Sequence, residues 1–281
     1  MKKGLILEGG AMRGLFTVGV LDVFMENGIE LDGTIGVSAG AAFGCNYKSR
    51  QPGRALRYNL KYCRDPRYCS FRSLLKTGDI FGADFCYRLL PDKLDIFDTD
   101  AYNNNPMEFH VVCTDIETGK AVYHNCSKAE NGYIDWIRAS ASMPLASRPV
   151  EADGYRLLDG GIADSIPIRY FESIGYDRNI VVLTQHDGYE KKKNSMLPLV
   201  RIRFRKYPKL TDALAKRHIV YNNTLRYITD MEKRGEVLVI RPPSPLKIGH
   251  IEHHPEKLHQ VYLIGRKTAQ SQLDSIKRFL S

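Results

Sequence analysis

The sequence predicts an α/β fold with a mostly parallel central sheet, and three stretches of the chain support it. Residues 4–8 are a short apolar run, which is followed by a glycine-rich loop and a helical pattern. Residues 34–37 lead through a tight turn into an alanine-rich helix at 39–47. Helix and strand alternate again over 166–184. This alternation is typical of parallel sheets, because each crossover helix returns the chain to the same edge of the sheet.

The loop after the first strand is rich in glycine, and three interpretations of it compete. A dinucleotide-binding fingerprint needs glycines at i, i+2 and i+5, and Gly9, Gly10 and Gly14 do not have this spacing. A phosphate-binding P-loop needs Lys and Ser or Thr after the last glycine, but Leu15 follows Gly14. We favour the third interpretation, an oxyanion loop whose bare backbone N–H groups stabilise a developing negative oxygen.

The second turn, Gly36-Val37-Ser38-Ala39-Gly40, has the spacing of a nucleophile elbow. A Cβ at Gly36 or Gly40 would collide with the neighbouring strand or helix, because the turn is so sharp. Chance gives about 0.1 such matches in a chain of this composition, so the pattern alone is a moderate signal. The strand before it and the helix after it strengthen the prediction that Ser38 is a nucleophile.

Residues 48–105 interleave arginines with aromatic side chains and have no strong strand pattern, so we expect a mainly helical insertion. It could form a lid or an acyl-chain groove over Ser38. Ordinary packing on the sheet edge, with arginine side chains reaching into solvent, is the alternative. A nucleic-acid partner is not expected, because no RNA-binding signature accompanies the aromatic residues.

A strand at 107–114 and a hairpin with 121–124 follow, then a short helix at 133–141 and a segment punctuated by prolines. A strand at 156–158 ends in Asp159-Gly160-Gly161, where the two glycines leave room for a substrate. A carboxylate in an apolar cleft could accept the Ser38 proton directly, so Asp159 is the candidate base. An ordinary α/β-hydrolase would place several strands before the serine, whereas only one fits before Ser38. It would also need a histidine, and no histidine of this chain lies at a predicted strand end beside a glycine.

We place a soft domain boundary after residue 190, where the charged stretch 189–194 interrupts the pattern. Residues 191–281 contain 20 Lys and Arg against 7 Asp and Glu, a net charge of +13, whereas the whole chain carries +9. Helices are expected at 210–233 and 255–280, with a strand at 236–240. The basic clusters at 191–193 and 201–206 suggest an anionic partner such as a membrane surface. An ordinary solvated surface is an equally good interpretation.

The 43% hydrophobic content can fill a sizeable core, and no apolar run approaches the length of a membrane span. Glu8 ends the first apolar stretch too soon for a signal peptide, so we expect a cytoplasmic protein. Because the cytoplasm is reducing, the six cysteines are expected to be free thiols. None forms a C-x-x-C pair, so a zinc site is not expected. The chemistry of the candidate serine and carboxylate needs no metal or organic cofactor.

Three motifs, in this order and at these distances, resemble the patatin-like phospholipase family. They are Gly9-Gly10-x-x-Arg13-Gly14, Gly36-x-Ser38-x-Gly40 and Asp159-Gly160-Gly161. Residues 141–149 and 166–167 are also similar to that family, and the likeness spans about residues 4–185. The basic extension at 191–281 resembles the C-terminal part of bacterial patatin-like proteins of undefined substrate.

The resemblance implies a three-layer α/β/α fold for residues 1–190 and hydrolysis of lipid acyl esters, of phospholipase A or lysophospholipase type, through an acyl-enzyme. It implies a Ser–Asp dyad without histidine, in which Ser38 is the nucleophile and Asp159 the base. The partner would be a lipid or phospholipid, met at the inner membrane face. A catalytically weak lipid-binding or lipid-sensing protein with the same fold is the first alternative. The second is a nucleic-acid-binding protein, which only the basic last third of the chain suggests. By position in the motifs, the N–H groups of Gly9, Gly10, Ala11 and Ala39 would form the oxyanion hole. The remaining motif residues would support the loops, and they are Arg13, Gly14, Gly36, Gly40, Gly160 and Gly161.

Overall fold

A computed structural model describes residues 1–130 and 132–281 and contains an eight-stranded sheet, whose strands are hydrogen-bonded along the path β5-β6-β3-β2-β1-β7-β8. In this path β6 and β2 follow one another along the same edge of β3, and β4 pairs with its other edge. Strands β3, β2, β1, β7 and β8 run parallel, and β4, β5 and β6 are antiparallel to their partners. The predicted, mostly parallel sheet is therefore confirmed. The strands are β1 (Lys2–Leu7), β2 (Gly33–Val37), β3 (Glu108–Asp115), β4 (Ala121–Asn125), β5 (Val150–Ala152), β6 (Tyr155–Asp159), β7 (Tyr176–Val182) and β8 (Val237–Ile240).

Helices cover both faces of the sheet. Leu5 and Leu7 of β1 pack against α1, α2 and α10 on one face, whereas Ile6 packs against residues of α7 and α9 on the other. All three side chains are fully buried, as expected for a central parallel strand covered on both faces. This confirms the three-layer arrangement. The helices are α1 (Leu15–Glu26), α2 (Ala39–Lys48), α3 (Arg54–Tyr62), α4 (Phe71–Thr77), α5 (Thr99–Asn104), α6 (Tyr133–Ser140), α7 (Ile168–Ser173), α8 (Leu197–Arg203), α9 (Pro208–Lys233), α10 (Pro255–Ser271) and α11 (Leu273–Leu280).

Residues 48–105 are mainly helical, as predicted. They contain α3, α4, α5 and a π-helix at Phe85–Leu94, which includes Pro91. Proline removes a backbone donor and disturbs regular α-helical bonding, which agrees with the wider helical turn there. Whether this insertion acts as a lid stays a prediction.

Two local predictions were incomplete. The proline-punctuated segment contains the short strand β5, which begins directly after Pro149 at the edge of the sheet. Proline is tolerated beside an edge strand because its missing N–H breaks no ladder there. The single closing helix expected at 255–280 is divided into α10 and α11, because Gln272 leaves the helical conformation with φ −105° and ψ 4°.

The chain after residue 190 shares the sheet and core of the part before it. Strand β8 extends the sheet by pairing in parallel with β7. Helices α1 and α10 approach so closely that a Cβ on Gly19 would lie 2.2 Å from the carbonyl oxygen of Tyr262. The boundary at 190 stays a prediction. In the described ranges, no helix is both long and apolar enough for a transmembrane span. All six cysteines are free.

Candidate active site

Ser38 occupies the sharp turn between β2 and α2. Its backbone has φ 56° and ψ −121°, a strained conformation for a residue with a side chain. A Cβ on Gly36 would lie 2.6 Å from the backbone of Ala41, and one on Gly40 would lie 2.3 Å from the carbonyl oxygen of Leu7. The two glycines therefore allow the turn that places Ser38, half-buried, at the carboxyl end of β2.

The pairing of β3 brings Asp159 to the same place. Strand β4 occupies one edge of β3 from His110 to Thr114. Strands β2 and β6 pair with residues of β3 that are also paired with β4, so both must lie on the opposite edge. There Val37 pairs with Val112, and Asp159 pairs with the next residue, Cys113. The carboxyl-terminal ends of β2 and β6 therefore meet at this point of β3.

Hydrogen bonds from neighbouring elements fix this junction. The N–H of Ser38 donates to the Ser140 hydroxyl at 2.9 Å, and that hydroxyl donates to the carbonyl oxygen of Val112 at 2.6 Å. The N–H of Asp159 donates to the carbonyl oxygen of Ser142 at 2.8 Å. Residues just after α6 and at its end thus hold both strand ends in place.

The Asp159 side chain is buried, with 4% of its surface exposed. Burial raises the pKa of its carboxyl, and the Arg217 guanidinium, the Ser38 hydroxyl and the Gly161 N–H oppose that rise. The Gly161 N–H donates to Oδ1 at 2.7 Å. The described contacts hold no hydrogen bond of standard length and angle between Ser38 and Asp159. Such bonds often tighten only when a substrate is bound.

The loop after β1 passes beside Ser38. A Cβ on Gly9 would lie 2.7 Å from the Ser38 Cβ, so only glycine fits that approach. The Thr184 hydroxyl donates to the carbonyl oxygen of Gly9 at 2.8 Å and holds the loop against β7. The N–H groups of Gly9, Gly10 and Ala11 have no acceptor among the described contacts, and neither has that of Ala39. That these four donors form an oxyanion hole stays a prediction.

Other predicted motif glycines also lie where a side chain would collide with a neighbour. A Cβ on Gly14 would lie 2.9 Å from the Cβ of Ala39, and one on Gly160 would lie 2.1 Å from the carbonyl oxygen of Val112. The backbone N–H of Arg13 closes the loop by donating to the carbonyl oxygen of Gly10. The Arg13 side chain takes no part in this loop closure and instead lines a pocket beside Ser38.

Two pockets meet at Ser38, and the side chains of Ala11 and Met143 also line both. The first has a volume of about 130 Å³ and a mostly apolar lining. The helical insertion supplies much of this wall. Its contributing side chains include those of Tyr58, Tyr68, Phe81, Tyr87, Leu90 and Phe97.

The second pocket, of about 80 Å³, is polar, and the predicted motif residue Arg13 lines it. Four further lining residues were not predicted to lie at the site: the buried Glu8, Lys191, Arg217 and His250. Lys191 was expected on the surface because it begins a run of three lysines. The structure exposes Lys192 and Lys193 but leaves Lys191 half-buried, and burial and the neighbouring Arg217 lower the pKa of its ammonium to about 8.

Histidine was not expected near Ser38, yet His250 lines the polar pocket from an exposed loop. His186 lines a different surface pocket, and His218 on α9 is not among the residues around Ser38. Over the two described ranges, no group of three His, Cys, Asp or Glu side chains is placed to hold a metal ion.

Two family models match the chain. The model described as "Patatin-like phospholipase" matches residues 5–172, and a domain of unknown function, DUF6363, matches residues 207–281. Among curated proteins, "Uncharacterized protein YjjU" of Escherichia coli K12 is 25% identical over 307 residues, covering 99% of this chain and 78% of that protein. "Lysophospholipase nte1" of Emericella nidulans is 28% identical over 180 residues, covering 62% of this chain.

The matched lengths differ among these relatives. The alignment covers only 11% of the Emericella lysophospholipase. "Uncharacterized NTE family protein Rv1063c" of Mycobacterium tuberculosis is 27% identical, and its alignment covers 63% of this chain and 48% of that protein. Among solved structures, VipD from Legionella pneumophila has a TM-score of 0.48 at 14% identity, over 98% of this chain and 67% of that chain.

Proposed function

This chain belongs to the patatin-like phospholipase family, and we propose that it is a serine acyl hydrolase that cleaves carboxylic esters of lipids through Ser38 and Asp159. One observation carries the proposal. Val37, which precedes Ser38, and Asp159 pair with consecutive residues on one edge of β3, so the candidate nucleophile and base meet beside the four free N–H groups. Relatives of this chain include a protein described as a lysophospholipase, which supports a lipid ester as substrate.

In the proposed reaction the Ser38 Oγ attacks the ester carbonyl carbon while the Asp159 carboxylate takes the hydroxyl proton. The negative oxygen of the tetrahedral intermediate accepts hydrogen bonds from the N–H groups of Gly9, Gly10, Ala11 and Ala39. The ester C–O bond then breaks, and the alcohol leaves with the proton from Asp159. Water, deprotonated by Asp159, attacks the acyl-enzyme and releases the carboxylic acid and Ser38.

The apolar pocket is the proposed acyl-chain site, because it opens at Ser38 and its wall comes from the helical insertion. Burial of an acyl chain there contributes about 0.8 kcal/mol for each methylene removed from water. This gives residues 48–105 the role of an acyl groove, which the sequence analysis considered beside ordinary packing.

We also propose peripheral membrane contact through α8 and the residues after it. Leu199 and Ile202 are 51% and 72% exposed, and Arg201, Arg203 and Arg205 beside them are exposed too. Exposed apolar side chains among arginines suit the boundary between lipid head groups and acyl chains. Each basic residue near an anionic surface adds about 1 kcal/mol.

A hydrolysis screen tests the function. Purified protein is incubated with lysophospholipids, diacyl phospholipids, monoacylglycerols and 4-nitrophenyl esters, and released fatty acid or nitrophenol is measured. The proposal expects turnover of at least one lipid ester by the wild type and none above background by Ser38→Ala. Lipid binding without turnover would instead favour the lipid-sensing alternative.

A further inference from the structure

Three cationic side chains from distant parts of the chain converge on the polar pocket beside Ser38. Arg13 comes from the loop after β1, Lys191 from the segment after β7, and Arg217 from α9. The proposed catalysis uses none of their side chains. Two of the three come from the part of the chain after residue 190, and Arg217 lies within the matched domain of unknown function.

These cations have no anionic partner in the described structure. Among the described residues, the side chains of Arg13, Lys191 and Arg217 form no ion pair within 4.0 Å and no hydrogen bond. The Nε atoms of Arg13 and Arg217 are buried without any acceptor. A buried polar atom without a partner costs free energy, and a charged one costs more. The three like charges also repel one another, and an anion that entered the pocket would offset this repulsion.

The carboxylates that line the pocket are already engaged. Glu8 accepts hydrogen bonds from the Tyr221 hydroxyl at 2.6 Å and from the Thr184 N–H at 2.6 Å. Asp159 accepts the Gly161 N–H and is the proposed base. Neither carboxylate lies within 4.0 Å of the three cations in the described residues, although both still act on the Lys191 charge through space. Three cations against two carboxylates leave the pocket with an excess of one positive charge.

The positions of Lys191 and Arg217 are fixed by their neighbours. Tyr221 lies one helical turn after Arg217, on the same face of α9, and its bond to Glu8 anchors that face to the end of β1. Asn222 bonds the backbone N–H and the carbonyl oxygen of Lys191. The Lys191 ammonium lies 4.1 Å from the centre of the Tyr221 ring. These contacts fix the backbone at Lys191 and along this face of α9, and they place the Lys191 ammonium beside the pocket before any ligand arrives.

We infer that this pocket binds the phosphate group of the substrate, so that the enzyme prefers phosphate-bearing acyl esters to neutral glycerides. The inference rests on the function proposed above. An acyl chain in the apolar pocket places the ester carbonyl at Ser38 and directs the alcohol part into the polar pocket. Arginine guanidinium groups bind phosphate oxygens in a two-pronged geometry, and a lysine ammonium adds a mobile donor. The segment after residue 190 thereby acts in substrate recognition.

Binding to a catalytically inactive protein tests the pocket without turnover. Ser38→Ala is titrated by calorimetry with glycerol 3-phosphate, glycerol and inorganic phosphate. Glycerol 3-phosphate should bind, glycerol should not, and adding Arg217→Gln should weaken binding by about 10- to 100-fold. Lys192→Gln is the matched control, because it removes one positive charge from the exposed residue next to Lys191. We expect it to leave the affinity for glycerol 3-phosphate unchanged. Equal loss in both variants would overturn the inference.

The same titration separates a lipid head group from free phosphate as the ligand. Tighter binding of glycerol 3-phosphate than of inorganic phosphate supports a substrate subsite. Equal affinity would identify a phosphate-ion site and would overturn the assignment to the substrate.

Turnover gives the second test. The ratio of kcat/KM for a 1-acylglycerol 3-phosphate to that for the 1-acylglycerol with the same short chain should exceed about 10 in the wild type. Lys191→Gln and Arg217→Gln should each bring this ratio towards one. If either change also disturbs Asp159, kcat/KM falls equally for both esters and the ratio is unaffected. An unchanged ratio in both variants would contradict the subsite. No turnover of either ester would instead contradict the hydrolase, while the Ser38→Ala titration still decides the pocket.

Discussion

Val37 and Asp159 lie opposite consecutive residues of β3, on the edge that β4 leaves open. The parallel strand β2 reaches this point from one direction and the antiparallel strand β6 from the other. Ser38 follows Val37 directly, so the candidate nucleophile and base are placed by the register of one strand. A shift of either strand by one residue would turn its side chains to the other face of the sheet and separate the pair.

Asp159→Asn should stabilise the protein at neutral pH while it removes activity. Burial raises the pKa of Asp159 above that of an unfolded aspartate, so the protonated form is the one that folding favours. The wild type keeps this stabilisation below the unfolded pKa and loses it as pH rises through the folded pKa. An uncharged asparagine does not titrate.

The measurement is the melting temperature of both proteins from pH 4 to pH 7.5. We expect the variant to melt at a higher temperature at pH 7.5, and the difference to shrink as the pH falls towards 4. A wild type that is the more stable protein at neutral pH would show that the Asp159 charge is favoured by its surroundings.

Tyr221→Phe should destabilise the protein by about 1–3 kcal/mol, because it removes a hydrogen bond to the buried Glu8 carboxylate. Tyr227→Phe on the same helix is the matched control, since the Tyr227 hydroxyl bonds the half-buried Glu172 at 3.0 Å. Urea unfolding of both variants measures the difference. A loss from Tyr221→Phe no larger than the loss from its control would mean that the Glu8 contact does not anchor α9.

His250→Ala should retain at least about one-tenth of the wild-type kcat/KM on a soluble ester. His250 lines the pocket, but the proposed base is Asp159, and burial together with the Arg13 charge lowers the pKa of the imidazole. Asp159→Asn, assayed in parallel, should lose several orders of magnitude. A loss of about 10³-fold from His250→Ala, with the fold retained, would indicate a histidine base instead.

The triple variant Arg201→Gln, Arg203→Gln, Arg205→Gln should bind anionic vesicles more weakly than the wild type. Removal of three charges costs up to about 3 kcal/mol of membrane attraction. Sedimentation with vesicles of phosphatidylglycerol or of phosphatidylcholine measures binding, and the wild type should bind only the former and release it with added salt.

The matched control is a second triple variant that loses the same charge from a different surface. In it, three exposed lysines are changed to glutamine, one on each of α9, α10 and α11: Lys233, Lys267 and Lys277. The control should bind vesicles like the wild type, and both triple variants should hydrolyse a soluble ester normally. Equal binding by all three proteins would leave the basic surface without a role at membranes.

The sequence predicted what depends on short stretches of chain. The glycines around Ser38 are needed for one local turn, so their spacing is visible without the fold. The polar pocket could not be found in this way, because Glu8 and Tyr221 are 213 residues apart in the chain. The run of three lysines predicts a solvated cluster, and only the packing of Lys191 on Tyr221 separates it from its neighbours. The break at Gln272 has no glycine or proline to mark it.

The most direct test of the account is the labelling of Ser38 by a fluorophosphonate probe. The probe phosphonylates an activated serine with release of fluoride, and peptide mass spectrometry identifies the modified residue. We expect the wild type to be labelled on Ser38, Asp159→Asn to be labelled far more slowly, and Ser38→Ala not to be labelled. Labelling of Ser38→Ala at the wild-type rate, or of Asp159→Asn as fast as the wild type, would contradict the proposed dyad.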